Sequence, residues 1–132
     1  MVTGGTLVAF VATADQARSH AFYGGVLALP RVEVTPFANV YDAGGTPLRV
    51  TVVPAAKPAP FTVLGWEVDD IAEAMASLTG RGVHFKRYRA MAQDAEGVWT
   101  TPDGGRIAWF EDPDGNVLSL TEPHRTSEDA RA

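Results

Sequence analysis

Hydrophobic and polar residues follow the same order of patterns in the two halves of the chain. Each half begins with a short apolar run, typical of a buried strand, and continues with apolar residues at helical spacing. An aspartate precedes each helix, Asp15 in the first half and Asp70 in the second, and can cap its first turn. Runs of β-favouring residues then predict further strands. The predicted first-half elements are strand 6–12, helix 16–27 and strands 31–35, 38–42 and 48–53.

The second half repeats this order after a proline-rich connector. Aligning Val8 with Val63 brings Asp15 and Asp70 into register without a gap, so the two halves form an internal repeat. Each repeat is expected to form strand, helix and three strands. The predicted second-half elements are strand 61–68, helix 71–80, strand 83–88, a solvated loop at 89–97, a hairpin of 97–101 and 106–111, and strand 116–121.

The repeat predicts an α+β fold of two βαβββ modules that form a cupped mixed sheet around a cleft. One module has too little chain to cover its own sheet, so the two are expected to curl together. We place one domain at 5–122, with modules at 5–53 and 61–122, a linker at 54–60 and a polar tail at 123–132. A two-layer domain of ferredoxin-like type is the alternative fold.

Composition narrows the classes of function. The 132 residues suit one domain, and the net charge of −5 with scattered basic residues argues against nucleic-acid binding. The chain has no cysteine, which excludes disulfides, thiolate metal sites and cysteine nucleophiles. No apolar run reaches the length of a membrane span, and no leader pattern opens the chain, so we expect a cytoplasmic protein without membrane contact.

The segment 109–120, WFEDPDGNVLSL, gives the most specific motif. Its Asp-Pro-Asp-Gly centre predicts a tight turn between two strands. Together with its flanks it resembles the last hairpin of the vicinal oxygen chelate superfamily, which includes glyoxalase I, bleomycin-resistance proteins, fosfomycin-resistance enzymes and extradiol dioxygenases. The segments 21–29 and 68–71 resemble the same family, so the resemblance covers nearly the whole chain. It implies a homodimer that binds a small molecule.

Metal-dependent members of this family hold a divalent ion with histidine, glutamate or glutamine from the first and last strands of each module. By position, the resemblance carries these ligands to Val8, Val63 and Ser119, and to the strand at 49–51. Valine has no lone pair, and a neutral serine hydroxyl is a poor ligand. We therefore expect no bound metal and no cofactor.

The three histidines do not restore a metal site. His20 lies in the first predicted helix, His84 in a predicted strand and His124 in the tail, and no two have the spacing of metal ligands. A surface or edge position is the simpler interpretation for each of them. Glu67 can face the cleft and is the one candidate for a catalytic base.

Alternation along the strands selects the residues that line the predicted cleft. Phe10 is expected to form an aromatic wall and Gly65 to leave space beside it, whereas Trp66 and Trp109 are assigned to the core. The facing of Tyr41, Arg49 and Trp99 stays open between the cleft and the core or an interface. The predicted ligand-binding residues are Val8, Phe10, Tyr41, Arg49, Val63, Gly65, Trp99 and Ser119.

Three functions remain open. The first is a non-catalytic protein that binds a hydrophobic or aromatic molecule, as in antibiotic sequestration. The second is a metal-independent lyase or isomerase that acts through Glu67, with Arg49 as a candidate partner. The third, a divalent-metal lyase or dioxygenase, conflicts with valine at positions 8 and 63.

Overall fold

A computed structural model describes residues 2–124, which form two four-stranded sheets and two short α-helices. Both sheets have the same topology, β1-β4-β3-β2 in the first and β5-β8-β7-β6 in the second. Contacts divide the chain into one unit of residues up to 63 with 112–116, and another of 64–111 with 117 onward. The predicted α+β fold with two βαβββ modules is confirmed.

The first sheet follows the predicted repeat closely. Its β3–β4 hairpin turns on Gly44 and Gly45, whose φ angles of 69° and 97° lie in the left-handed region that favours glycine. This two-residue turn fixes the register, with Tyr41 opposite Leu48. The strands are β1 (Ala9–Thr13), β2 (Arg31–Thr35), β3 (Ala38–Ala43) and β4 (Thr46–Val52).

The first helix differs from its prediction. Asp15 caps it as expected, accepting a hydrogen bond from the Arg18 backbone N–H at 3.0 Å. Helix α1, however, spans only Gln16–His20, and residues 21–26 continue as a π-helix. A Cβ atom at Gly24 would lie 2.4 Å from the His20 ring, so the glycine makes room for that ring within the wider turn.

Two buried tyrosines form the centre of the first unit. Tyr23 and Tyr41 are both 0% exposed, and their ring centroids are 5.9 Å apart. The Asp-Pro-Asp-Gly turn belongs to this unit, and the Tyr23 hydroxyl donates to Asp112 Oδ2 at 2.6 Å. Asn116 extends the network by donating to Asp112 Oδ2 at 2.8 Å and to the Ala12 carbonyl at 3.0 Å. The family-like hairpin turn is therefore held by a buried polar network.

The second sheet is covered on one side by α2 (Ile71–Gly80). Asp70 caps this helix as predicted, with its carboxylate 3.1 Å from the Glu73 backbone N–H. Ile71 and Met75 are buried on its inner side. The strands are β5 (Thr62–Glu67), β6 (Trp99–Thr100), β7 (Arg106–Glu111) and β8 (Val117–Glu122).

The strand predicted at 83–88 is wrong, because this segment has no regular strand pairing. The Lys86 backbone N–H in this segment donates to the Trp109 carbonyl at 2.7 Å. Other backbone groups nearby form hydrogen bonds with the Gln93 side chain. The Gln93 amide donates to the carbonyls of Lys86 and Gly97 and accepts from the Tyr88 N–H. The carbonyls of Lys86 and Gly97 and the Tyr88 N–H thus bond to a side chain and not to a neighbouring strand. The following strand, β6, has only two residues.

The domain boundaries remain predictions. The contact division falls between Val63 and Leu64, close to the predicted linker at 54–60. Most of the predicted tail at 123–132 lies outside the described residues. Among residues 2–124 no helix is long and apolar enough to cross a membrane.

Candidate functional site

The second sheet has one face packed beneath α2 and an opposite face on which no helix of this unit lies among the described residues. Ala108 and Phe110 on β7, and Leu118 on β8, are all 0% exposed and face the helix side. Alternation therefore sends Trp109 and Ser119 to the opposite, open face, where the register places them side by side. We call this surface the open face of the second sheet.

Three aromatic rings stand together on this open face. Tyr88 meets Trp109 edge to face, with ring centroids 5.5 Å apart and planes at 90°. Trp99 lies on the other side of Trp109, with 6.4 Å between centroids and an interplanar angle of 32°. All three side chains are half-buried. We call Tyr88, Trp99 and Trp109 the aromatic cluster.

Two small residues lie next to one another on the same sheet. A Cβ atom at Gly65 would lie 2.7 Å from Ser119 Oγ, closer than real Cβ contacts come. Ser119 is only 7% exposed and carries its hydroxyl at this point. Gly65 thus permits β5 and the Ser119 side chain to approach, and the pair presents little bulk beside the aromatic cluster.

An ion pair lies against one member of the cluster. Lys86 Nζ is 2.6 Å from Glu111 Oε1 and 5.8 Å from the centroid of the Tyr88 ring. The hydrogen bond that the Lys86 ammonium donates to the Glu111 carboxylate raises the pKa of Lys86 above its ordinary value. The lysine therefore stays charged at neutral pH and supplies a cation next to the aromatic rings.

The first sheet also has an open face, on which two predicted residues meet. Phe10 is 62% exposed and pairs in register with Arg49 of β4, so their side chains share one face. Val8, just before β1, is 38% exposed. The facing of Arg49, left open by the sequence, is thereby established.

Tyr41 does not lie on that face. It is fully buried on the side covered by α1, where its hydroxyl is 2.8 Å from His20 Nδ1 and the two rings stack. His20, expected at the surface or an edge, is partly exposed and packs its ring against this core tyrosine. Burial, and then the positive charge of Arg31, lower the pKa of His20. His84 and His124 are exposed.

The remaining predicted residues belong to β5. Val63 is 36% exposed, and Glu67 is exposed at the end of the strand. Their alternation with half-buried Leu64 and Trp66 agrees with the predicted facing of β5. Glu67 is therefore in contact with water and lacks the buried, apolar surroundings that often activate a carboxylate as a general base.

The positions of the family's metal ligands do not fit a metal. Val8 and Val63 offer no donor atom, and Ser119 offers a neutral hydroxyl. Within residues 2–124 there is no group of three or more histidine, aspartate or glutamate side chains that could hold one ion. No reaction step through a metal is derived from these residues.

The sequence interpretation missed two members of the aromatic cluster. Tyr88 is not among the predicted site residues. Trp109 is assigned to the core by the sequence, but its ring lies on the open face beside Ser119. The signal was present in the hairpin. A turn centred on Asp114 pairs Glu111 with Val117, and counting back from there sets Trp109 opposite Ser119.

Comparison with solved structures shows the same fold in several bacterial proteins. An antibiotic binding protein, TnmS3 from Streptomyces sp. CB03234, is 25% identical, with a TM-score of 0.71 and coverage of 94% of this chain and 99% of that one. A superfamily member from Sphaerobacter thermophilus is 24% identical, with a TM-score of 0.71 and coverage of 93% and 100%. A glyoxalase/bleomycin resistance protein from Catenulispora acidiphila is 22% identical, with a TM-score of 0.68 and coverage of 90% and 98%.

No curated protein matches the sequence. The profile of one family matches residues 6–120, which include both βαβββ modules and the last hairpin. The resemblance inferred from segment 109–120 is confirmed by this match. The chain belongs to the glyoxalase/bleomycin resistance protein/dioxygenase superfamily.

Proposed function

We propose that the protein binds a planar aromatic small molecule on the open face of its second sheet and does not transform it. The observation that carries this proposal is the aromatic cluster of Tyr88, Trp99 and Trp109, whose half-buried rings lie together on the face of the sheet opposite α2. Residues of this kind supply large apolar contact area with few rotatable bonds. A ligand that stacks on them loses little affinity to ordering of the protein.

The neighbouring polar groups fit the same proposal. Ser119 Oγ stands beside Gly65, and the Lys86 ammonium lies 5.8 Å from the Tyr88 ring. Most ligand sites combine an apolar surface with a few polar atoms that orient the ligand. A hydroxyl and a cation favour an oxygen-bearing planar compound, such as a phenol or a quinone, over a plain hydrocarbon.

The comparisons support binding without chemistry. TnmS3, at 25% identity, is described as an antibiotic binding protein, and the superfamily includes bleomycin resistance proteins. The absence of donor atoms at positions 8 and 63 removes the electrophile that metalloenzymes of the fold require. Antibiotic sequestration is the form of binding that we propose. The metal-independent lyase or isomerase stays a prediction that rests on Glu67 and Arg49.

Tryptophan fluorescence tests the proposal directly. Titration of planar aromatic natural products should quench the emission saturably, and Trp109→Phe should weaken binding about tenfold, equivalent to ~1.4 kcal/mol. Trp66→Phe is the matched control, because Trp66 points to the helix side of the sheet, and its affinity should match the wild type.

Two outcomes would overturn the proposal. One is equal binding by wild type and Trp109→Phe, which would place the ligand elsewhere. The other is recovery of a chemically altered compound after incubation with the wild type but not with Glu67→Gln. That result would show that the protein is an enzyme and that Glu67 takes part in the reaction.

We also propose that the protein is a homodimer. Edge strand β2 of the first sheet exposes Val32 and Val34 at 64% and 57%, and Phe37 beside it is 72% exposed. An uncovered apolar edge strand is a template for pairing with another chain, and a second copy offers the same self-complementary edge.

Light scattering at micromolar concentration should give about twice the 14.1 kDa chain mass. Val34→Lys should shift the protein toward monomer because it places a charge on the edge. A monomeric wild type would contradict this proposal without affecting the ligand proposal. A cytoplasmic location remains a prediction from the sequence.

A further inference from the structure

The second unit holds a cavity on the helix side of its sheet, away from the aromatic cluster. Its volume is about 850 Å³, within the range of small-molecule sites. Its apolar lining comes from Met75 of α2 and from Val83, Phe85 and Val98 of the irregular segment. This segment forms no regular strand, and the Gln93 side chain donates to its Lys86 carbonyl.

The register shows that the cavity and the aromatic cluster lie on opposite faces. Arg106 lines the cavity and shares the helix-facing side of β7 with Ala108 and Phe110. Trp109 and Trp99, the latter paired with Ile107, belong to the other side. A ligand in the cavity therefore does not touch the site of the proposed function.

Two guanidinium groups line the cavity beside its apolar residues. Arg87 uses one N–H of its guanidinium on the Ala95 carbonyl at 3.2 Å. Arg106 meets Glu122 only at 3.9 Å, beyond hydrogen-bond distance. Each arginine has five N–H donors, so both retain donors for an anionic group.

Two carboxylates also line the cavity, and they differ in how they are engaged. Asp94 Oδ1 accepts the backbone N–H groups of Glu96 and Val98 at 3.0 and 2.9 Å. These hydrogen bonds, and in addition the positive charge of Arg106, lower the pKa of Asp94. Glu96 is exposed, where solvent screens its charge. Asp94 and Glu122 therefore offset part of the charge of Arg106, and the cavity offers a ligand the N–H donors that the two arginines do not use within the protein.

We propose that this cavity is a second binding site, one that takes an amphipathic carboxylate with an aliphatic body. The chain of such a ligand lies along Met75, Val83 and Val98, and its carboxylate is held by Arg87 and Arg106. A carboxylate matches the planar fork of a guanidinium, whereas an alcohol of the same length offers a single neutral oxygen.

Calorimetry with decanoate and decanol tests the inference on the full chain. Wild type should bind decanoate saturably and prefer it to decanol by about fivefold or more, roughly one charge-assisted hydrogen bond. Arg87→Gln should reduce that preference, because Arg106 alone then holds the carboxylate, and should leave decanol binding unchanged.

A matched pair on α2 tests the location. Ala76 lines the cavity and Ser77, the next residue, is exposed and does not. Ala76→Phe should lower decanoate affinity about tenfold, whereas Ser77→Phe should leave it unchanged. Trp109→Phe on the opposite face should also leave decanoate binding unchanged, so failure here is distinguishable from failure of the proposed function.

Absence of saturable decanoate binding would overturn the inference. Equal binding by Ala76→Phe and Ser77→Phe would overturn it as well, as would a carboxylate preference that is undiminished in Arg87→Gln. Circular dichroism of each variant confirms that the comparison is made between folded proteins.

Discussion

The two sheets share one topology, but Tyr41 of the first and Trp99 and Trp109 of the second lie on opposite faces relative to the helix. In the first unit, Tyr23 and Tyr41 are fully buried under the helix, and the open face presents Phe10 and Arg49. In the second unit, Trp99 and Trp109 stand on the open face. The repeat therefore sets the strand order, and the residues on alternate positions decide which face can bind a ligand.

The connections after the helices differ as well. In the first unit the helix is followed by β2, a five-residue strand that completes the sheet. In the second, the corresponding chain is irregular through residue 98 and β6 has two residues. The helix-side cavity of the second unit is lined by residues of this irregular segment.

The largest expected effect contrasts a buried with an open-face aromatic residue. Tyr41→Ala should lower the free energy of unfolding by about 3–5 kcal/mol, because it empties a fully buried site. Trp99→Ala removes a larger but half-buried ring and should cost roughly 1–2 kcal/mol. Urea unfolding of both variants measures the difference. Equal losses would show that Trp99 belongs to the core and would break the comparison.

The next effect concerns the hydroxyl that holds the hairpin turn. Tyr23→Phe leaves the buried Asp112 Oδ2 without its 2.6 Å partner and should cost about 1–3 kcal/mol. Burial raises the pKa of Tyr23 well above its ordinary value, so the hydroxyl remains a donor over the working pH range. The control is Tyr88→Phe, which lies on the open face and should cost less than half as much in the same unfolding assay.

A smaller effect sharpens the description of the second open face. Gly65→Ala places a Cβ atom against Ser119 Oγ and should cost about 1–2 kcal/mol, since the hydroxyl must move. In the background of Ser119→Ala the same change should cost less, because the clashing oxygen is gone. A double-mutant cycle measures this coupling. Strict additivity would show that the two side chains do not meet.

The smallest effect is the pH dependence of the first unit. His20 has a lowered pKa when folded, so the unfolded chain takes up a proton more readily near its ordinary pKa of 6.5. The stability contributed by neutral His20 is complete above that pH and is lost as pH falls through the folded-state pKa. His20→Gln should flatten the dependence of the melting temperature between pH 7 and 5, whereas His84→Gln, at an exposed position, should preserve it. A wild-type melting temperature that rises on acidification over this range would contradict the assignment.

Sequence alone was enough for the architecture. The in-register capping residues Asp15 and Asp70 and the Asp-Pro-Asp-Gly turn predicted the repeat and the family, because capping and tight turns depend on local chemistry that residue type determines. The sequence also contains the information that Tyr41 and Arg49 point to opposite faces of the first sheet. A two-residue Gly44-Gly45 turn pairs Tyr41 with Leu48 and Val40 with Arg49, and consecutive pairs point to opposite sides of a sheet.

Only the tertiary structure decided where the second unit departs from the repeat. Segment 83–88 has strand-like residues, yet the Gln93 side chain, several positions away, takes its backbone partners. That competition depends on a fold-back of the chain that residue type does not encode locally. The cluster of Tyr88, Trp99 and Trp109 and the cavity behind α2 both follow from it, since each joins residues that only the folded chain brings together.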